Sequence, residues 1–193
     1  MKDSRVLVTG TSSGLGSYLS RKFESKGHFV LRHEGRSHFD LKNLHEVQQL
    51  IDLAKNHQID VLVNNAAMTC PGKELQDYHH DEIVSMLNVN LLSPILLTHG
   101  LMSQLKSVIN INSMVGLEIK PKRTLYSATK WGLRGFSQSL SAENENLHVL
   151  DVYPTNIKTT PDRVNAMDVD FVLEQIYNAF LNKEQRLVLD GRK

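Results

Sequence analysis

The feature that most constrains this chain lies at its start. An apolar run, Val6-Leu7-Val8, passes into Thr9-Gly10-Thr11-Ser12-Ser13-Gly14-Leu15-Gly16 and then into a helical pattern. An apolar run without alternation reads as a strand buried on both faces, and such strands belong to parallel sheets covered by helices. Glycines between strand and helix let the backbone turn sharply and come close to whatever lies beside it. A helix opening at such a turn presents free N–H groups and the positive end of its dipole, which suits a phosphate. Taken alone, the turn is a weak signal, since a tight strand-to-helix connection can use the same glycines.

The same alternation continues along the chain. Strands are expected at Arg5–Thr9, Phe29–Arg32, Ser37–Asp40, Asp60–Asn64, Ser107–Asn112, His148–Tyr153 and Arg186–Leu189. Helices are expected at Gly14–Lys26, Asn43–Asn56, Asp81–Leu105, Tyr126–Asn144 and Asp168–Leu181, the last with Asp168 as its cap. Pro94 inside the third helix should kink it or remove one hydrogen bond. The gap from Arg32 to Asp40 is too short to hold a helix. The pattern therefore predicts an α/β fold: a single doubly wound parallel sheet of the Rossmann type, lacking the helix between its second and third strands. With 193 residues and no repeat or linker, the chain is expected to form one domain, with a short substrate loop near 155–168.

Charge and composition exclude several function classes. Twenty-two basic and 21 acidic residues leave a net charge of +1, so neither nucleic acid nor an anionic membrane is an expected partner. The longest apolar stretch, Leu91 to Leu97, is broken by Ser93 and Pro94 and is too short to span a bilayer. The N-terminal segment lacks the apolar region of a signal peptide. Cys70 is the single cysteine; it has no partner for an intramolecular disulfide and no visible activator. These features make the cytoplasm the expected location. The nine histidines show no ligand spacing, and no metal site is expected.

Tyr126-Ser127-Ala128-Thr129-Lys130 puts a phenol and an ammonium four residues apart, on one face of a helix. A nearby ammonium favours phenolate and lowers the tyrosine's pKa, which equips Tyr126 to exchange a proton with a carbonyl or alcohol oxygen. Ser113 follows an expected strand, at the end where ligands bind in this topology. At the tip of the second strand Arg32, His33 and Arg36 stand where a cofactor choosing NAD would meet an acid; a guanidinium there suits a 2′-phosphate, favouring NADP over NAD. Lys120, Lys122 and Arg123 make a small basic loop, either solvated or attractive to an anionic substrate.

These motifs resemble the short-chain dehydrogenase/reductase family. Thr9 to Gly16 matches the family's T-G-x-x-x-G-x-G turn, and the resemblance runs in order to about Thr159. It implies an oxidoreductase that moves hydride between a nicotinamide cofactor and a small carbonyl or alcohol. Tyr126 would be the acid/base, Lys130 its tuner and a ligand of the nicotinamide ribose, Ser113 the anchor of the substrate oxygen. Asn90, within Asn88-Val89-Asn90, would hold a water in the proton relay, with Asn88 its competitor. Cofactor contacts are implied for Gly10, Ser12, Ser13, Gly14, Leu15, Gly16, Asp40, Leu41, Asn65, Ala66, Ala67, Pro154, Ile157 and Thr159. Ala67 and Thr155 stand where the family has glycine. The resemblance also implies a homodimer or homotetramer, with Trp131 in the core or at a subunit contact. A nicotinamide-binding sensor or scaffold without turnover is the alternative reading.

Overall fold

A computed structural model describes residues 3–69 and 72–192, apart from the side chain of Arg36. Cys70 and the Arg36 side chain thus lie outside the described residues. Six parallel strands form one sheet: β1 (Arg5–Thr9), β2 (Phe29–His33), β3 (Val61–Asn64), β4 (Ser107–Ile111), β5 (His148–Pro154) and β6 (Arg186–Leu189). Their order is β2-β1-β3-β4-β5-β6. The chain runs outward from β1 to β2, then crosses back to β3 on the other side of β1, so the strand order reverses between β1 and β3. In sheets of this kind a ligand cleft opens at that point.

Alternation along each strand supplies two cores. Val6 and Val8 pack under α1 (Gly14–Ser25) and α6 (Val169–Leu181), with Phe23, Ile176 and Phe180. Leu7 points to the other face, against Leu50 and Ile51 of α2 (Leu44–Asn56) and the residues Leu97 and Leu101. The expected cap of α6 is present, Asp168 accepting from the Phe171 N–H at 3.0 Å.

Two expected elements differ. Ser37–Asp40 is not a strand. Gly35, at φ 79°, turns the chain, and Gly35–Ser37 forms a short 3₁₀ turn. No helix intervenes between β2 and Asp40, as the spacing requires. With the short strand absent as well, α2 is the helix that joins the second and third strands of the observed sheet. The expected helix Asp81–Leu105 is a composite of α3 (His80–Leu87), a π-helical turn at Asn88–Leu92 and α4 (Ser93–Leu101). The Ser93 N–H reaches the Asn88 carbonyl, and this wider turn comes immediately before Pro94, whose missing N–H would interrupt an α-helical ladder. The stretch His80–Leu101 is, by length and composition, long and apolar enough to cross a bilayer, unlike the short apolar run read from the sequence. Here Met86, Val89, Leu97 and Leu101 are buried, and the stretch packs on α2 and on α5 (Thr124–Glu143).

Candidate active site at the carboxyl ends of the strands

The glycine turn is held from three strands. Thr9 Oγ1 accepts from the Asn65 and Ala66 N–H groups, each at 3.0 Å. Asn65 Nδ2 donates to the Thr9 carbonyl at 2.8 Å and to that of Gly10 at 3.2 Å. Gly10 and Gly16 are there for close approach: a Cβ on Gly16 would lie 2.2 Å from the Gly10 oxygen, and one on Gly10 would lie 2.9 Å from Ala66 Cα. Gly14 differs, with φ 59° and open space where a side chain would stand. Ser13 caps α1 with extended backbone and no side-chain bond, so the first N–H groups of that helix face outward. Open N–H groups, a bare glycine and a cleft of about 1120 Å³ beside them fit a dinucleotide pyrophosphate.

His33 is a functional residue that sequence reasoning misread. It is not a cation awaiting a phosphate. Its Nδ1 accepts from the Gly10 N–H at 3.1 Å and its Nε2 donates to the Phe39 carbonyl at 2.7 Å. Burial pushes its pKa down, which keeps the ring neutral and able to accept. Its signal was positional: a polar residue at the carboxyl end of a strand beside the turn. Arg32 also departs from expectation. Its guanidinium turns back onto α1 and pairs with Glu24 at 2.9 and 2.5 Å, and it does not line the cleft. Asp40 and Leu41 do line it, together with Lys42, which the sequence did not single out. Asp40 Oδ1 accepts from the Lys42 N–H at 3.0 Å, and the Leu41 carbonyl accepts from Ser93 Oγ at 2.8 Å.

The cleft brings most of the expected residues together. Gly10, Ser12, Ser13, Gly14 and Leu15 form one wall; Asn65, Ala66 and Ala67 follow at the end of β3. Ser113 and Tyr126 lie further along, and Pro154, Ile157 and Thr159 close the far side. Gly16, Asn90 and Lys130 stand behind this surface. Ala67 and Thr155 both have ordinary negative φ, so neither needs to be glycine. Thr155 instead uses its hydroxyl, accepting from the Gly191 N–H at 2.9 Å.

Tyr126 and Ser113 both line the cleft. Tyr126 is only 7 % exposed, and burial pushes its phenol above the usual tyrosine value, opposed by the neighbouring Ser113 hydroxyl and the charge of Arg123. Lys130 is 2 % exposed; its Nζ donates to the Ile111 carbonyl at 2.9 Å and lies 5.7 Å from the centre of the Tyr126 ring. Burial pulls its pKa down to about 8, with Asp151 opposing. Arg123 also stands by the phenol, its guanidinium carbon 5.9 Å from the centre of the Tyr126 ring. Asn90, within the π-helical turn, accepts from the Met68 N–H at 2.7 Å and donates to the Met68 carbonyl at 2.9 Å and to Thr129 Oγ1 at 3.2 Å. Its competitor Asn88 donates to the Lys42 carbonyl at 2.9 Å and serves the loop instead.

The fold and this cleft define a nucleotide-type α/β domain with a tyrosine–serine pair in its wall. Residues 36–168 match the short chain dehydrogenase profile. The chain is 31 % identical to nodulation protein G of a Rhizobium species, over 89 % of this chain and 81 % of that protein. It is 30 % identical to a 3-oxoacyl-(acyl-carrier-protein) reductase of Haemophilus influenzae, over 74 % of this chain and 69 % of that protein. Its fold is similar to that of a short chain dehydrogenase from Burkholderia cenocepacia solved in complex with NADP, at TM-score 0.86 and 22 % identity, covering 97 % of this chain and 96 % of that one. The chain belongs to the short-chain dehydrogenase family of oxidoreductases.

Proposed function

We propose that the chain acts as one nicotinamide-binding domain with a substrate loop near 155–168, catalysing NADP(H)-dependent hydride transfer between nicotinamide and a small carbonyl or alcohol. The observation that carries this reading is that Ser113 and Tyr126 stand in the wall of the same cleft as the glycine turn. The cofactor supplies the hydride; the chain supplies position and a proton. Gly10, Ser12, Ser13, Gly14 and Leu15 hold the pyrophosphate against α1, and Asp40 and Leu41 face the adenine end. Ser113 Oγ and Tyr126 Oη converge on the substrate oxygen. Tyr126 releases its proton to that oxygen as it gains charge, or takes one from an alcohol in reverse. Lys130 reaches the ribose, and Asn90 orders the water that resupplies the proton.

The choice of NADP rests on the half-buried Lys42 and the Gly35 turn at the adenine end of the cleft, now that Arg32 is committed to Glu24. The Burkholderia cenocepacia protein was solved with NADP, which agrees. A cytoplasmic homodimer or homotetramer completes the reading. Val84, Leu87 and Trp131 leave apolar surface exposed on α3 and α5, two helices that pack on each other. The test is turnover of a carbonyl panel with NADPH by wild type and Tyr126→Phe, alongside fluorescence titration with NADPH and NADH. Turnover should fall by about 10²–10⁴ in the variant, the usual worth of a positioned acid/base, with NADPH binding intact. Binding without any Tyr126-dependent turnover would favour a sensor.

A further inference from the structure

We infer that the substrate of the Tyr126 site carries an anionic group a few bonds from its carbonyl, held by Arg123 and Lys120; the inference rests on the function proposed above. The three cations of the loop before α5 separate in the structure. Lys122 faces away, its Nζ 3.5 Å from Glu74 Oε1. Lys120 and Arg123 line the same cleft as Tyr126 and Ser113. Arg123 is half-buried, with its guanidinium carbon 5.9 Å from the centre of the Tyr126 ring, and its field acts on the phenol.

Of the other charges around this end, Arg192 is paired with Glu118 at 2.6 and 2.8 Å and with Asp190 at 2.8 Å. Among the described residues the exposed Arg163 has no ion pair; it donates to the Ile157 carbonyl at 3.3 Å and lies by Asp162, the one carboxylate of the cleft wall on this side. Glu118 feels the charge of Lys120, but its oxygens are occupied by Arg192. Among the described residues, Arg123 and Lys120 have no ion pair. A half-buried guanidinium has left part of its hydration behind, and the lowest-energy partner for its planar fork is a pair of anionic oxygens. Such oxygens reach both cations within the cleft, next to the group that handles the proton. The short distance to Tyr126 restricts the ligand to a small molecule, a phosphate monoester or carboxylate of a short-chain carbonyl.

The experiment uses matched pairs with NADPH: dihydroxyacetone phosphate against dihydroxyacetone, and pyruvate against methyl pyruvate. The readout is the ratio of kcat/KM for the charged over the neutral member. Wild type should prefer the charged member by about tenfold or more in at least one pair, the worth of one charge-assisted hydrogen bond, and the favoured pair distinguishes phosphate from carboxylate. Arg123→Gln should bring that ratio close to one, Arg123→Lys should restore part of it, and Lys122→Gln should leave it unchanged. Arg123→Gln also removes a charge near Tyr126, so both rates fall; the ratio isolates recognition. A wild-type ratio near one in both pairs, or an undiminished ratio in Arg123→Gln, overturns the inference. If no carbonyl is reduced at all, the oxidoreductase reading fails separately. Inorganic phosphate titrated onto the NADP⁺-saturated protein then decides: binding about tenfold weaker in Arg123→Gln supports an anion site, and equal binding overturns it.

Discussion

The two ends of the cleft are built in different ways. At the cofactor end, the turn from Thr9 to Gly16 is tied to β2 through His33 and to the end of β3 through Asn65 and Ala66. All of these bonds join buried or half-buried residues at the carboxyl ends of three neighbouring strands. At the substrate end, the loop that carries Thr155 to Met167 is tied mainly to itself, by Lys158 N–H to the Met167 carbonyl at 2.8 Å and Met167 N–H to the Asn156 carbonyl at 2.9 Å. Val164 in that loop is 78 % exposed. The chemistry common to every substrate is thus set by the sheet, while the choice of substrate is left to segments whose shape depends on few bonds.

The sharpest way to break this contrast is to disturb the locked end. Gly16→Ala places a methyl group 2.2 Å from the Gly10 backbone oxygen and 2.4 Å from Asn65 Nδ2, a side-chain atom held by the Thr9 and Gly10 carbonyls. Overpacking costs about 1–3 kcal/mol, and a clash with backbone puts this site at the upper end. Thermal unfolding should show a drop of many degrees and fluorescence titration no NADPH binding. A variant that binds normally would mean the turn is as pliable as the loops.

A second effect of similar size lies beneath the catalytic helix. Asp151 is buried, accepting from Ser137 Oγ at 2.8 Å and from the Tyr153 hydroxyl at 2.7 Å, and burial pushes its pKa from 3.8 up to about 6. Because the folded value is raised, the stability it allows is present below pH 4 and is lost as pH rises through 6. Two pKa units correspond to about 3 kcal/mol. Urea unfolding of wild type and Asp151→Asn at pH 4 and pH 7 should show the variant gaining up to about 3 kcal/mol on the wild type between the two. An equal difference at both pH values would contradict a buried, reluctant carboxylate.

His33→Ala removes the acceptor of the Gly10 N–H and leaves that group unpaired, at about 1–3 kcal/mol. It should lower Tm and weaken NADPH binding together. The smallest change expected is at the loose end. Thr155→Ala loses the acceptor for the Gly191 N–H, about 1 kcal/mol, with KM for substrate moving more than the affinity for NADPH. If NADPH affinity moved more, the division between the two ends would be misdrawn.

The parts legible in the sequence were those that depend on local pattern. Unbroken apolar strands, the glycine turn and the Tyr126–Lys130 spacing each state their geometry within a few residues. The illegible parts depend on partners distant in the chain. Nothing near Arg32 says that Glu24, the next-to-last residue of the preceding helix, would take its guanidinium. His33 looked basic because its partners, Gly10 and Phe39, become neighbours only when β2 pairs with β1. Ser37–Asp40 is no strand, because Gly35 turns the chain and β2 remains the edge of the sheet. Arg123 and Lys122 are adjacent in sequence and opposite in role, since only one meets a carboxylate.

The account stands or falls on where a bound nicotinamide lies relative to one hydroxyl. A crystal structure of the NADP⁺ complex measures this directly. Tyr126 Oη and Ser113 Oγ should both stand within hydrogen-bond reach of a single oxygen position above the reactive face of the ring, with Lys130 turned from the Ile111 carbonyl to the ribose. A ring seated elsewhere in the cleft, with the Tyr126 hydroxyl directed away from it, would contradict the proposed chemistry.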